Sequence, residues 1–124
     1  MKKKRVLIVE DEPIVALSLK NTLESSGYLV GSLVSTGEDA IQKAEAEKPD
    51  LILMDIKLRG RVDGVEAATA IRGRFNIPII HLTAYEDEEV AEKIRLTGSS
   101  GCLPKPFEEA DLKAMIASVL RKTA

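Results

Sequence analysis

Leu51-Ile52-Leu53-Met54-Asp55 is the most informative segment of this 124-residue chain, because four consecutive apolar residues lead directly into a carboxylate. The segment Val6-Leu7-Ile8-Val9-Glu10-Asp11 has the same form, and Ile77–Leu82 is again almost wholly apolar. Apolar runs that are continuous rather than alternating indicate strands covered on both faces, as in parallel sheets. Weaker strand candidates lie at Tyr28–Val34 and Ser100–Leu103.

Amphipathic segments separate these strands along the chain. A first helix is predicted over 13–25, where Pro13 suits the first turn and Gly27 supplies the stop. This alternation predicts an α/β fold of the flavodoxin-like doubly wound (βα)5 type, with a parallel sheet in the order 2-1-3-4-5. The second helix begins near Thr36, the third contains Val65, Ala68, Ile71 and Phe75, the fourth contains Val90, Ala91 and Ile94, and the last contains Leu112, Met115, Ile116, Val119 and Leu120.

The size and charge of the chain fit one globular domain over residues 1–124. Hydrophobic residues make up 44% of the chain and the net charge is −2, whereas a disordered chain is less apolar or more one-sidedly charged. The near-neutral balance argues against direct nucleic-acid binding, and the basic run at 2–5 is interpreted as a solvated lead-in to the first strand. The single cysteine, Cys102, suits a reducing compartment, and no apolar run approaches a membrane span. We therefore expect a cytoplasmic domain without membrane contact.

Polar side chains collect at the predicted carboxyl ends of four strands that are consecutive in this sheet order. Glu10 and Asp11 end the first strand, Asp55 ends the third, and Thr83 and Lys105 end the fourth and fifth. Because neighbouring strands lie about 4.8 Å apart, the three carboxylates are expected to meet in one crevice. A hard divalent cation relieves their repulsion best, and oxygen ligands favour Mg²⁺ over Zn²⁺.

The same group of residues predicts phosphoryl chemistry. Acids, a metal ion, a lysine and a hydroxyl together suit an anionic oxygen cluster. Asp55 is the candidate nucleophile, because it ends the central strand that is predicted to be the most buried, and Glu10 and Asp11 are left to hold the metal. Taken singly, these residues have plainer interpretations: acids that begin a loop, a surface lysine at 105 and a helix N-cap at Thr83. Their joint placement at one edge of the sheet favours the functional interpretation.

The chain resembles the receiver domain of two-component response regulators, of the chemotaxis-regulator-like kind, over essentially its whole length. The resemblance rests on five segments in order, namely Val6–Glu12, Leu53–Asp55, Asp63-Gly64, Leu82–Ala84 and Lys105–Phe107. Each segment alone is unspecific, but the ordered set at these spacings is highly specific.

The resemblance implies a role for each residue at the acidic end of the sheet. Asp55 is the implied phospho-acceptor. It also implies that Mg²⁺ is held by Asp55, by Asp11 directly, by Glu10 through water and by the backbone carbonyl of Lys57. Such domains catalyse their own phosphorylation and assist its hydrolysis, so a signalling switch is expected rather than a conventional enzyme.

The resemblance also implies a switching route and partners. Thr83 is the implied switch hydroxyl, and Lys105 is the implied partner of a phosphoryl oxygen. The phosphoryl donor would be a histidine kinase or phosphotransfer protein, or a small acyl phosphate. The readout is expected on the face formed by the fourth predicted helix, the fifth strand and the last helix. That face would meet an output partner or form a phosphorylation-dependent homodimer.

Two features depart from the usual receiver pattern. The loop at 56–64 lacks the usual Pro before Gly and is one residue longer, which alters the surroundings of the site. Cys102 stands where Tyr or Phe is usual, and it cannot act as the aromatic rotor of similar domains; Tyr85 is a hypothetical substitute. We expect Cys102 to be a small buried side chain, and we expect His81 to be packed and hydrogen-bonded.

Other functions stay open on the residues alone. A flavodoxin-like cofactor binder needs a Ser/Thr/Gly-rich phosphate loop after strand 1, where this chain is acidic. A phosphatase with an aspartate nucleophile usually carries Asp-x-Asp there, which Glu10-Asp11-Glu12-Pro13 does not supply. A receiver-like interaction module would bind no Mg²⁺. The sequence is compatible with a free-standing regulator and with a receiver fragment of a larger regulator or hybrid kinase.

Overall fold

The computed structural model describes residues 3–84, 89, 92, 94 and 100–123. Strands and helices alternate along the described chain, as the sequence predicts. The strands are β1 (Arg5–Val9), β2 (Leu29–Val34), β3 (Leu51–Asp55), β4 (Ile79–Ala84) and β5 (Gly101–Lys105). The helices with described bounds are α1 (Pro13–Ser25), α2 (Gly37–Glu47), α3 (Gly64–Arg74) and α4 (Glu109–Thr123).

The strands form one parallel sheet in the order β2-β1-β3-β4-β5, which confirms the predicted topology. In this register Val9 pairs with Met54, and Asp55 pairs with Leu82. Because the strands are parallel, their last residues all reach the same side of the sheet, which we call the carboxyl edge. Ligands of doubly wound sheets bind at this edge.

Both faces of the sheet are covered by helices, which is the physical reason for the unbroken apolar runs. Alternate residues of β1 and β3 enter opposite cores, and full burial of each Leu or Ile contributes roughly 1.5–3 kcal/mol. One core joins α1 and α4 to the sheet and includes Val6, Ile8, Leu19, Leu23, Leu53, Leu82, Leu112 and Ile116. The other joins α2 and α3 and includes Leu7, Val9, Ala40, Ala44, Ile52, Met54, Ala67 and Ile71.

Some boundaries differ from the sequence-based expectation. β4 begins at Ile79 rather than at residue 77, and Pro78, which has no N–H, takes part only through its carbonyl, which accepts from the Ile52 amide. Phe75 was expected in the third helix but is its extended C-cap, half-buried against the second core. The predicted fourth helix lies mostly outside the described residues; Glu89, Glu92 and Ile94 are helical.

Side-chain caps fix the starts of two helices beside the carboxyl edge. Thr36 Oγ1 accepts from the Asp39 amide at the start of α2. Asp63 and Glu66 form a reciprocal capping box at the start of α3. Such caps contribute about 1 kcal/mol each and satisfy backbone donors that the helix cannot. Within the described part of the chain, no helix has both the length and the apolarity that a bilayer crossing requires.

Candidate functional site

Three carboxylates meet at the carboxyl edge, as the strand ends predict. Glu10 follows β1, Asp11 comes next, and Asp55 is the last residue of β3. One ligand oxygen of each lies within 4.8 Å of the others. Glu10 and Asp55 are only 2% and 8% exposed, while Asp11 is half-buried. We call this cluster the acid pocket.

Lys105 supplies the positive charge of the acid pocket. It ends β5, and its Nζ lies 3.1 Å from Glu10 Oε1 and 3.2 Å from Asp55 Oδ2. One ammonium therefore bridges the carboxylates that end two different strands. Partial burial alone would lower the pKa of Lys105, but the hydrogen bond that it donates to Glu10 and the charge of Asp55 outweigh this effect and raise the pKa above its usual value. The lysine therefore stays charged at neutral pH.

Backbone groups hold the remaining oxygens of the two buried acids. Asp55 Oδ1 accepts from the Ile56 amide at 2.8 Å, and Glu10 Oε2 accepts from the Glu12 amide at 3.2 Å. The Glu10 amide in turn donates to the carbonyl of Val34 at the end of β2. Among the described residues that are not exposed, no buried side-chain nitrogen or oxygen lacks a partner. The acid pocket is therefore held in one arrangement by its surroundings.

Two further predicted site residues, Thr83 and Lys57, are placed near Asp55 by the sheet and by the chain. Thr83 lies in β4, one residue beyond Leu82, the partner of Asp55, and is 8% exposed. Lys57 lies two residues after Asp55 and is exposed. The switching role of Thr83 and metal binding by the Lys57 carbonyl stay predictions.

His81 and Gly64 brace the backbone behind Asp55, a role that the sequence reasoning missed. A Cβ added at Gly64 would collide with the carbonyl oxygen of Asp55, so only glycine allows the first turn of α3 to approach β3 this closely. His81 is fully buried, and its Nε2 lies 3.3 Å from the Gly64 carbonyl oxygen, which confirms that it is packed and hydrogen-bonded. Burial lowers the pKa of His81, and its contact with the Gly64 carbonyl opposes that shift only in part. The motif Asp63-Gly64 was the available signal.

Cys102 is half-buried on β5 rather than fully buried, so the expectation of a buried side chain needs correction. It pairs with His81 of β4, but β5 is an edge strand, and the neighbouring side chains cover it only in part. This partial burial raises the pKa of the thiol. Tyr85, its hypothetical substitute, lies outside the described residues.

The donor set of the acid pocket fits Mg²⁺. All the clustered ligand atoms are carboxylate oxygens, and the described residues contribute no Cys or His to the cluster. Three carboxylates and one ammonium leave a formal charge of −2, which a divalent cation neutralises. A buried carboxylate beside a charged lysine is an arrangement that suits phosphoryl transfer.

The chain is similar to a known protein family and to curated proteins of that family. A profile of the response regulator receiver domain matches residues 6–117. The transcriptional regulatory protein PdtaR of Mycobacterium tuberculosis (strain ATCC 25618 / H37Rv) is 38% identical over 109 residues, which is 88% of this chain and 53% of that protein. The alkaline phosphatase synthesis transcriptional regulatory protein PhoP of Bacillus subtilis (strain 168) is 38% identical over 122 residues, which is 97% of this chain and 50% of that protein. The chain thus spans about half the length of these curated relatives.

Solved structures show the same relationship at the level of the fold. The signal receiver domain of a modulated diguanylate cyclase from Desulfovibrio desulfuricans G20 matches with a TM-score of 0.90 and 36% identity, covering 98% of this chain and 96% of that one. A CheY-like receiver domain protein from Methanospirillum hungatei JF-1 matches with a TM-score of 0.89 and 31% identity, covering 98% and 96%. The chain therefore belongs to the response regulator receiver domain family of two-component systems.

Proposed function

We propose that this chain is a phospho-acceptor switch in which Asp55 receives the phosphoryl group in a Mg²⁺-dependent reaction. The observation that carries this proposal is the geometry of Lys105, whose ammonium bridges Asp55 and Glu10 at 3.2 and 3.1 Å. A lysine that only balanced surface charge would not need to reach the carboxylates of two separate strands. This one lies where an oxygen of a phosphoryl group on Asp55 would need a cation.

The chemical step needs no proton transfer at Asp55. One carboxylate oxygen forms a bond to phosphorus while the bond from phosphorus to the donor breaks, and the leaving group keeps the electron pair. On a protein donor the leaving atom is an imidazole nitrogen of a histidine, and on an acyl phosphate it is a carboxylate oxygen. The backbone amide of Ile56 holds Asp55 Oδ1 and leaves Oδ2, now beside Lys105, as the reacting oxygen.

The residues proposed to hold Mg²⁺ are Glu10, Asp11, Asp55 and the backbone carbonyl of Lys57. The clustered carboxylate oxygens support the first three. When bound, the ion would neutralise the charge of the acids and of the incoming phosphoryl oxygens. Lys105 adds the remaining positive charge from the β5 side of the pocket.

A phosphoryl group on Asp55 adds negative charge and strong acceptor oxygens to a pocket in which Lys105 now binds two carboxylates. Thr83 and Lys105 can satisfy those oxygens in the phosphorylated state only, so they bias an existing equilibrium between two conformations. We place the readout on β5, α4 and the helical region before β5, where an output partner or a second copy would bind. With Cys102 on β5, this route works without an aromatic rotor at that position.

The protein donor, a histidine kinase or phosphotransfer protein, is proposed to dock beside the pocket. Ile14 and Leu17 on α1 are 85% and 52% exposed, which is high for large apolar side chains, and α1 begins two residues after the acid pair. A groove beside them is lined by Val15, Phe107 and Leu112 and joins α1 to the start of α4. Exposed apolar surface beside a reactive site is typical of a protein-binding site. A cytoplasmic location, where such donors and a reduced Cys102 are found, belongs to the same proposal.

The first experiment tests the acceptor and the metal together. Wild-type protein and Asp55→Asn are incubated with ³²P-labelled acetyl phosphate and Mg²⁺, and incorporation is followed with time. We expect incorporation that rises with time in the wild type, and at least a hundredfold less in the variant and in wild type with excess EDTA, because a carboxylate nucleophile and charge neutralisation are both required. Glu45→Gln, an exposed change on α2, serves as the matched control. Undiminished labelling of Asp55→Asn would overturn the acceptor assignment.

A further inference from the structure

The loop between β3 and α3 packs against the carboxyl edge of the sheet, and contacts with α2 and the end of β2 hold it there. Arg59 forms a parallel β-bridge with Thr36, which lies two residues beyond the end of β2. Since β1 lies between β3 and β2, the loop crosses two strand spacings, about 10 Å, past the point where the acid pair leaves β1. The longer loop of this chain thus runs alongside the acid pocket.

Several further contacts fix the backbone of this loop. Leu58 and Val62 pack against the core formed with α2 and α3. The Val62 amide donates to Glu38 Oε1 at 3.1 Å, and the same carboxylate lies against Gly60, whose φ of +93° only glycine adopts without strain. The loop backbone is therefore held at its middle and at its end.

The fixed backbone presents cations to solvent at every second residue. Lys57, Arg59 and Arg61 are exposed, while Leu58 and Val62 between and after them point inward. None of the ion pairs among the described residues uses these cations. We call the three residues the basic rim. The rim carries a formal charge of +3 with the carboxylates of Glu38 and Asp63 beside it, whereas the acid pocket carries −2.

We propose that the basic rim attracts dianionic phosphodonors, specifically small acyl phosphates, to the acid pocket. This inference rests on the proposed function and adds to it the residues, Lys57, Arg59 and Arg61, that favour a dianionic donor over a donor of lower charge. An acidic pocket repels a dianionic donor until a cation neutralises the carboxylates. A neutralised pocket no longer repels the donor, but it does not attract it either. The loop places its first cation two residues after Asp55 and then passes the acid pair, and its exposed cations supply the attraction that the pocket lacks. The reach of such charges is set by the Debye length, about 10 Å at 0.1 M salt.

The reaction that the rim promotes balances without a further reactant. An Asp55 oxygen bonds to the phosphorus of the acyl phosphate, the bond from phosphorus to the acyl oxygen breaks, and the carboxylate product leaves with the electron pair. The rim cations touch no reacting atom. They act on the encounter step, so their removal is expected to lower the second-order rate constant and to leave the stability of the aspartyl phosphate unchanged.

The test compares charge reversal at the rim with the same reversal elsewhere. Arg59→Glu/Arg61→Glu is compared with Arg74→Glu/Arg121→Glu, which makes an equal change in net charge. Arg74 and Arg121 lie near the ends of α3 and α4, at the edge of the sheet where the strands begin and away from the carboxyl edge. Phosphorylation by acetyl phosphate is measured at about 20 mM and 500 mM NaCl, with phosphoramidate, which carries less net negative charge, as second donor. We expect a three- to tenfold lower rate constant with acetyl phosphate for the rim variant at low salt, and less than twofold at high salt.

Each other outcome has a definite meaning. If wild type is not labelled by either donor, the proposed function fails and the rim is not at issue. If wild type is labelled but the rim and control variants lose the same amount, or if phosphoramidate is affected as strongly as acetyl phosphate, the attraction of dianions by the rim is refuted. Arg59→Gln/Arg61→Gln, which removes charge without introducing acids, is expected to lose about half as much on a logarithmic scale.

A binding measurement provides a readout that does not depend on turnover. Acetonylphosphonate, a dianionic analogue that cannot transfer its phosphorus, is titrated into ¹⁵N-labelled protein without Mg²⁺. We expect amide shifts at 57–62 in the wild type, at least threefold weaker in Arg59→Glu/Arg61→Glu and unchanged in the control variant. Shifts of equal size in all three proteins would refute the proposal.

Discussion

The acid pocket and the basic rim share the carboxyl edge of the sheet, but they hold their charges in opposite ways. In the pocket, the side chains of Glu10 and Asp55 are buried and each is bound by a backbone amide and by Lys105. In the rim, the backbone is bound and the cationic side chains extend into solvent. The difference shows that burial and hydrogen bonds fix the carboxylates of the pocket in one position. The cations of the rim stay solvated, so the protein pays little desolvation energy to keep them charged.

The largest effect on stability is expected where the loop rejoins the strand that carries Asp55. Gly64→Ala forces the start of α3 away from the Asp55 carbonyl, and we expect the free energy of unfolding to fall by about 2–4 kcal/mol. Gly73→Ala is the matched control, because a Cβ there meets open space within the same helix. It is expected to be neutral or to stabilise by about 0.5–1 kcal/mol. Urea unfolding measures both, and equal losses would show that the close approach at Gly64 is unimportant.

The next effect compares the stability lost when a cation is removed from the pocket with the stability lost when one is removed from the rim. Lys105→Ala leaves the fully buried Glu10 side chain without its cation, so we expect a loss of about 1–3 kcal/mol in the free energy of unfolding. Arg61→Ala removes an unpaired, exposed cation and is expected to change that energy by less than about 0.5 kcal/mol. Chemical denaturation of the two variants side by side checks the contrast.

Lys105→Ala also has an expected functional result. The variant should still accept some phosphoryl group at Asp55, but the conformational response should be blunted, because no ammonium binds the new oxygens. Nuclear magnetic resonance spectra recorded before and after phosphorylation measure the response. A response of wild-type size would contradict the assigned role of Lys105.

The smallest effect is the dependence of stability on pH, which comes from His81 and its contact with the Gly64 carbonyl. His81 is neutral in the folded protein because burial lowers its pKa, whereas the unfolded chain takes up a proton near the usual value of 6.5. Below pH 6.5 the unfolded state therefore binds more protons than the folded state. The contribution of the neutral His81 to the free energy of unfolding is complete above pH 6.5, and it is lost as the pH falls towards the lower pKa of the folded state. His81→Gln keeps a donor for the Gly64 carbonyl but does not titrate. The difference in unfolding free energy between the two proteins should shrink as the pH falls from 7.5 to 5.5, and a constant difference would contradict the assignment.

The ends of β1 and β3 were predictable because burial on both faces leaves a continuous apolar run. Val6–Val9 and Leu51–Met54 are unbroken apolar runs, and each is followed at once by acids. Since parallel strands end on the same side, the meeting of Glu10, Asp11 and Asp55 follows from the sheet order alone. The bounds of α1 were also predictable, because Pro13 and the residues around Gly27 mark them locally.

Boundaries at the edges of the sheet were less predictable. Phe75 continues the helical spacing of α3, but tertiary packing turns it into an extended cap. Cys102 lies on an edge strand, so its degree of burial depends on which neighbours cover that edge. Neither fact has a local signal.

The sequence by itself determined the strands, most of the helices between them and the acids at the strand ends, because periodicity and strand ends are local properties of a chain. The sheet order was predicted from the order that is common for this fold class, and the structure confirmed it. Only the tertiary structure decided that Lys105 reaches Glu10 as well as Asp55, that Gly64 must lack a side chain, and that Arg59 bridges to Thr36. These contacts join residues far apart in the chain, and their distances depend on how loops and helices settle against the sheet. No spacing along the chain encodes them.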